Sequence, residues 1–347
     1  MQTQCNPIQM EFAEVERRRV VAAFDGGTVS SDGGALLLTR TDEAIGLIDR
    51  LAGCFRDRRA PALVEHAVRT LVGQRVFGIA AGYEDLNDHD ELRKDPLWGA
   101  LMGKLTAKRR DCQALAGKST LNRLEWAKAN GTTRYQRIEV DTPAIEALFV
   151  TLFLESYAKA PEEIVLDLDA TDDPLHGGQE GRFFHGYYDH YCYLPLYIFC
   201  GRHLLCAKLR PANIDGAAGA KEEVTRIVEQ IRARWPETRI ILRADSGFAR
   251  EGLMAWCEGN GVDYVFGLAR NRRLERWLQP TLERVAEQVA VRGQAAREFL
   301  ERSYRTLTSW SCARRVVGKA EVTTLGSNPR FVVTSLSVQA WDARALY

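Results

Sequence analysis

Residues 162–174 read EEIVLDLDATDDP, and the fold is built outward from them. Ile164, Leu166 and Leu168 alternate with Val165, Asp167 and Asp169, the period of two expected of a strand with one apolar face. Asp167 and Asp169 therefore share the opposite face. A charge held within a sheet needs a partner, because an unpaired ionised group is costly to remove from water. A divalent cation, which prefers hard oxygen ligands, is one such partner. The competing reading is plainer: Asp169, Asp172 and Asp173 form a polar turn where the strand ends.

The segments that follow fix the topology. YCYLPLYIFC (191–200) and HLLCAKLRP (203–211) read as strands joined only by Gly201-Arg202, a link so short that the pair must be antiparallel. AGAKEEVTRIVEQIRARWP (218–236) places Val224, Ile227, Val228, Ile231 and Trp235 on one helical face and stops at Pro236. TRIILRADSGFA (238–249) is a strand, EGLMAWCEGNG (251–261) a helix closed by Gly259 and Gly261, and VDYVFGLAR (262–270) another strand. Three strands, a helix, a strand, a helix and a strand is the order of a ribonuclease-H-like α/β core with a mixed sheet. In that arrangement the first and fourth strands are neighbours, so Asp169 and Asp245 should converge. Two such carboxylates make half of a two-metal site, in which two Mg²⁺ or Mn²⁺ ions roughly 3.5–4 Å apart serve phosphodiester chemistry.

Upstream, VVAAFDGGTVSSDGGALLL (20–38) reads as strand, turn and strand, with Asp25 and Asp32 as turn residues. From Arg59 to Ala81 the positions Leu63, Val64, Ala67, Val68, Leu71, Val72, Val76 and Ile79 recur at helical spacing, with Pro61 suited to a first turn. Residues 1–160 are expected to form a mainly helical region that docks DNA ends, using the basic cluster KLTAKRR with Lys104, Lys108, Arg109 and Arg110. Residues 161–270 form the catalytic core. Residues 271–347, an Arg/Glu-rich helix followed by SYRTLTSWSCARRVV (303–317) and PRFVVTSL (329–336), are expected to be an inserted β-containing subdomain. Between Val265 and Ala320 twelve Lys/Arg face five acids, a local excess of 12 − 5 = +7, against +1 for the whole chain. Arg270, Arg272 and Arg273 open that stretch and are the candidates for phosphate contact.

A chain of 347 residues with 46% hydrophobic and 27% charged residues has the composition of a globular protein of about two domains. No apolar run of eighteen residues and no secretory leader is visible, so a cytoplasmic location without membrane contact is expected. The eight cysteines have no metal-finger spacing and read as reduced thiols. DLDAT also fits the D-x-D-x-T strand of haloacid-dehalogenase-like phosphatases, with Asp167 as nucleophile. That parallel fold, however, needs a helical crossover where two antiparallel β-runs follow here. AGKST (116–120) is similar to a phosphate loop but lacks its first glycine, replaced by Cys112, and a preceding strand. His176, His185 and His190 are too loosely spaced for zinc and read as polar loop residues near the catalytic strand.

The segments FDGGTVSSDGGALLL (24–38), GYEDLNDHDELRKDP (82–96), AGKSTLNRLE (116–125), LDLDATDDPLHGGQEG (166–181) and LRADSGFA (242–249), in this order, resemble the DDE transposases of bacterial insertion sequences, most closely the insertion sequence 1380 group. The resemblance implies that Asp169 is the first catalytic and metal-binding aspartate and Asp245 the second, with Asp167 a supporting strand residue. It implies hydrolysis at transposon ends and then strand transfer, with water and a 3′-hydroxyl as successive nucleophiles. The partners implied are terminal inverted repeats and target DNA, engaged by a homodimer on the bacterial nucleoid. The third carboxylate of such enzymes is a glutamate on a helix after the insertion. WDARALY (341–347) resembles the lead-in to that helix, so the glutamate is expected beyond Tyr347, Glu298 and Glu321 being poor substitutes. The alternative is a non-catalytic DNA-binding transposase remnant.

Overall fold

The computed structural model describes residues 10–15, 17–22, 30–131 and 133–347. The chain forms two compact units, Met1–Ile145 and Glu146–Tyr347.

The first unit begins with an antiparallel hairpin, β1 (Met10–Val15) and β2 (Arg18–Ala22). Helices α1 (Leu36–Ile45) and α2 (Leu47–Gly53) lead to a short strand β3 (Phe55–Asp57). Next come α3 (Val68–Ala80), α4 (His89–Leu92), α5 (Pro96–Leu101), α6 (Lys118–Glu125) and β4 (Ile138–Val140), which pairs antiparallel with β3. Their shared core contains Ile48, Leu71, Trp98, Leu115, Leu121 and Ile138, all fully buried. Each such side chain contributes about 1.5–3 kcal/mol on leaving water.

Two local expectations change here. Leu36–Leu38 are the first turn of α1 and not a strand, because Asp32 just ahead is anchored by the Tyr83 hydroxyl (2.9 Å) and the Trp98 indole N–H (2.9 Å), tying the entrance of the helix to the core. Asp25 lies outside the described residues. The helix read over 59–81 starts only at Val68, since Pro61 opens a separate 3₁₀ turn (Pro61–Leu63) and Val64 is extended.

In the second unit, α7 (Thr142–Glu155) supplies Val150, Phe153 and Leu154 to the core and leads to β5 (Glu163–Ala170). A small antiparallel sheet follows, β6 (Asp173–Pro174), β7 (Phe183–His185) and β8 (His190–Tyr193). The chain continues through β9 (Leu196–Cys200), β10 (His203–Lys208), α8 (Ala220–Arg234), β11 (Arg239–Ala244), α9 (Glu251–Gly259) and β12 (Asp263–Gly267). Then come α10 (Arg272–Arg292), β13 (Ala296–Tyr304), β14 (Arg314–Thr323), β15 (Gly326–Ser327) and β16 (Arg330–Thr334).

One sheet runs β10-β9-β5-β11-β12-β16-β14-β13, with β15 paired to β14. β5, β11 and β12 are parallel, while β9 and β10 are antiparallel, giving the ribonuclease-H-like order expected from the sequence. β16, β14 and β13 prolong the same sheet as antiparallel strands, so residues 296–334 share its core. Alternation decides the faces: Ile164, Leu166 and Leu168 are buried with Val224, Ile227 and Ile231 of α8 and Leu253 and Met254 of α9, whereas Asp167 is half-buried and Asp169 exposed on the other side.

Candidate active site

β5 and β11 run in parallel with Arg243 opposite Asp167 and Ala244 opposite Leu168. The next residue on each strand is an aspartate, Asp169 on β5 and Asp245 just past the end of β11. Neighbouring strands lie about 4.8 Å apart, so this register brings the two carboxylates to one end of the sheet. Asp245 keeps an extended backbone and caps the 3₁₀ turn Ser246–Phe248, its Oδ1 accepting the Gly247 N–H at 2.8 Å. Asp169 has no hydrogen-bond or ion-pair partner among the described residues. Asp167 differs, since Arg243 grips it at two points, Nε to Oδ1 at 2.5 Å and Nη2 to Oδ2 at 2.9 Å. The sequence pattern alone could not separate these two aspartates; the register does.

Tyr188 stands between the carboxylates. Its hydroxyl donates to the Ala170 carbonyl (3.3 Å). Burial pushes its phenol above the ordinary value, and the charges of Asp172, Asp169 and Asp245 push it further, so both aspartates act electrostatically on the same hydroxyl. His190 bonds Asp172 at 2.7 Å, and the His185 ring lies 4.9 Å from the Tyr188 ring, so the loop after β5 folds back over the aspartates. His176 is exposed. Tyr188 and the His190–Asp172 pair had only one signal in the sequence, the aromatic and histidine density of HGYYDHYCY, which carries no spacing rule.

On the far side of Asp245 a cavity of about 360 Å³ is lined by Asp245, Ser246, Gly267, Arg270, Arg330 and Phe331 among others. Gly267 is required there: a Cβ at this position would lie 2.9 Å from the Ser246 nitrogen and 3.2 Å from the Asp245 carbonyl carbon. Arg270 thus joins the aspartate through its position after β12, and Arg330, at the start of β16, joins from a part of the sequence with no motif. Neither arginine has a carboxylate partner among the described residues.

The remaining basic candidates fall into two kinds. The Lys104 ammonium is held by the Glu65 carboxylate and carbonyl, both at 2.7 Å. Glu65 also accepts the backbone N–H of Lys108 and Arg109, and these bonds, with the Lys104 hydrogen bond foremost, hold its carboxyl at about 2. The Arg109 side chain pairs with Asp111, and Arg273 stacks on Tyr304 at 4.9 Å. Lys108, Arg110 and Arg272 are exposed and have no carboxylate partner among the described residues.

Two adjacent carboxylates, one wholly unpartnered and the other with an oxygen to spare, form a hard donor set that suits a divalent cation. Among the described residues no group of three His, Cys, Asp or Glu side chains comes together as a cation cage, so such an ion would draw its other ligands from water and substrate phosphate. No helix among the described residues is long and apolar enough to cross a membrane. No curated protein matches the chain. A family model for the transposase DDE domain group 1 matches residues 12–347, nearly the full length. The chain therefore belongs to the transposase DDE domain group 1 family, whose fold, mixed sheet and paired strand-end aspartates it displays.

Proposed function

We propose that this DDE transposase acts on the terminal inverted repeats of a bacterial insertion sequence, of the insertion sequence 1380 group, through Asp169 and Asp245. The observation that carries the proposal is the level placement of these two aspartates at the ends of neighbouring parallel strands. They would hold Mg²⁺ or Mn²⁺, which when bound activates the attacking oxygen and stabilises the leaving one. The chain's own residues have three tasks. Asp169 and Asp245 supply negative oxygens at a fixed separation, the Asp167–Arg243 pair stiffens the strands behind them, and Arg270 draws the phosphodiester toward Asp245. In the first step a water oxygen bonds to phosphorus and the 3′-oxygen leaves with a proton. In the second step that 3′-hydroxyl attacks target DNA and releases a new 3′-end.

Residues 1–160 would dock the transposon end, with Lys108 and Arg110 reaching phosphates while Lys104 and Arg109 shape the loop that presents them. Residues 161–270 carry the chemistry, and residues 271–347, opened by Arg272 and Arg273, form the insertion. A homodimer assembled on DNA at the nucleoid would bring two ends together. Incubating the protein with terminal-repeat DNA and Mg²⁺ or Mn²⁺ tests the proposal. End cleavage should be lost in Asp169→Asn and in Asp245→Asn; cleavage that persists in both removes the aspartates from the reaction.

A second reading, a DNA-binding transposase without catalysis, is favoured by one observation: no third acid joins the two aspartates among the described residues. The same assay separates the two, since this reading gives DNA binding with no cleavage in either metal.

A further inference from the structure

We infer that a pocket on the first unit, formed by Arg59, Arg123, Arg134 and Arg137 around Tyr135, seats a backbone phosphate of bound DNA. The inference rests on the DNA-binding reading above and assigns to it a surface that neither sequence motif contains.

The pocket has a volume of about 460 Å³, and its lining holds four arginines and no acid. Arg59 is already held by Asp57 at two points and by the His66 carbonyl, so its charge is largely compensated. Arg123, Arg134 and Arg137 are exposed, and no carboxylate pairs with them among the described residues. Three uncompensated cations that converge on one cavity repel one another, and a bound anion relieves that repulsion.

The way these arginines are held matches the chemistry of phosphate recognition. Arg123 on α6 and Arg134 both lie over the Tyr135 ring, 5.4 and 5.0 Å from its centroid. Tyr135 and Arg134 stand at the tip of a turn closed by the Gln136 N–H on the Thr133 carbonyl (3.1 Å) and by the Thr133 hydroxyl on the Gln136 side chain (3.2 Å). A guanidinium stacked on an aromatic ring is oriented while all its N–H groups remain available. An ion pair with a carboxylate would orient it too, but would occupy the fork that binds phosphate bidentately. Tyr135 is thus a positioning residue: it fixes two forks without using them.

DNA is favoured over a small anion because the pocket is open, partly apolar and extended by exposed groups. Leu63 on its rim is 71% exposed and Tyr135 55%. Backbone phosphate contact carries no sequence information, so a duplex of arbitrary sequence is an adequate probe.

The test uses the full chain and a short fluorescent duplex, with anisotropy measured over a series of KCl concentrations. The double variant R134Q/R137Q should bind on the order of tenfold more weakly, and the slope of log K against log salt should shrink by about 2, one per lost phosphate contact. R134K/R137K, which keeps the charge but not the fork, should retain most of the slope while losing affinity. Tyr135→Phe should match the wild type and Tyr135→Leu should lose affinity, a contrast that a merely structural tyrosine would not give. Arg40→Gln, which removes an exposed cation paired with Glu43 outside the pocket, is the charge control. Because the substituted arginines are exposed, melting temperatures should be unchanged. Wild-type affinity and slope in R134Q/R137Q overturn the pocket and leave the DNA-binding reading standing, whereas a wild type that binds no DNA at any salt overturns both.

Discussion

Asp245 stands level with Asp169: each is the residue that follows a register pair, Ala244 opposite Leu168, on adjacent parallel strands. Two carboxylates brought together without a cation repel, so removing one charge should not cost stability. Asp169→Asn and Asp245→Asn are each expected to melt at or slightly above the wild-type temperature, while divalent-metal-dependent cleavage falls by about three orders of magnitude, the several kcal/mol of transition-state stabilisation that the cation provides. Added Mg²⁺ should raise the melting temperature of the wild type and not of either variant. Thermal melts with and without metal, beside a cleavage assay, check both halves; an aspartate variant that is inactive and also unfolded would argue for a structural role.

Asp167 faces the same side as Asp169 but is satisfied by Arg243. The pair is open to solvent, Arg243 being 64% exposed and Asp167 36%, so its contribution to stability is about 1 kcal/mol or less. Asp167→Asn should therefore shift a urea midpoint only slightly and keep cleavage within about tenfold of wild type. A loss as deep as that of Asp169→Asn would make Asp167 the metal ligand.

How far the sequence led follows from these residues. The alternation through Ile164–Asp169, the short Gly201-Arg202 link and the face of α8 each obey a local period, so the order of the core and the neighbourhood of Asp169 and Asp245 were readable. Leu36–Leu38 were not, because a three-residue apolar run fits a strand or a helix and the choice is made by Asp32 reaching Tyr83 and Trp98, 51 and 66 residues away. Arg330 and Tyr188 were missed for a similar reason. Their places near the aspartates come from strand pairing and loop return, which leave no mark in nearby sequence. The arginine pocket likewise draws on residues from 59 to 137 that only folding collects.

Arg314 is the most deeply buried cation of the second unit, 3% exposed, and bonds Glu251 (2.6 Å) and Glu258 (2.6 Å), while the Tyr264 hydroxyl also donates to Glu258 (2.7 Å). Arg314→Met leaves two acids facing each other without their cation and should cost about 2–3 kcal/mol, less than a fully buried pair because both glutamates remain partly wet. The Arg314 hydrogen bond holds Glu251 at about 2, below the ordinary glutamate value, and Glu258 is lowered by the same guanidinium. A depressed folded-state value gives stability that is present above the unfolded pKa near 4.5 and lost as pH falls toward 2. Urea melts from pH 6 to pH 3, in about one-unit steps, should thus show a steeper acid loss in the wild type than in Arg314→Met.

Lys104 and Arg110 lie in one basic cluster but should behave differently. The Lys104 ammonium is spent on Glu65, so Lys104→Met is expected to lower the melting temperature and leave the salt slope of DNA binding unchanged. Arg110→Gln, exposed and without a carboxylate partner among the described residues, should leave the melt unchanged and reduce that slope by about 1. Equal effects of the two on the slope would mean that Lys104 leaves Glu65 when DNA binds.

Gly267 is where packing and chemistry meet most tightly. A methyl group there would press on the Ser246 nitrogen and the Asp245 carbonyl carbon, backbone atoms that cannot rotate away. The strain is expected to cost about 1–3 kcal/mol, shared between β12 and the turn that Asp245 caps. Because that turn aims the Asp245 carboxylate, Gly267→Ala should lose cleavage beyond what its stability predicts, even at temperatures where it is fully folded, and its Mg²⁺ requirement should rise. Gly252, exposed in α9 with nothing within 4 Å of an added Cβ, gives the control: Gly252→Ala should be neutral or slightly stabilising and keep its activity. Metal titrations of cleavage for the two alanine variants, run below both melting temperatures, distinguish a displaced aspartate from a loosened fold. Unchanged metal dependence in Gly267→Ala would mean that the Asp245 turn absorbs the methyl without moving its carboxylate.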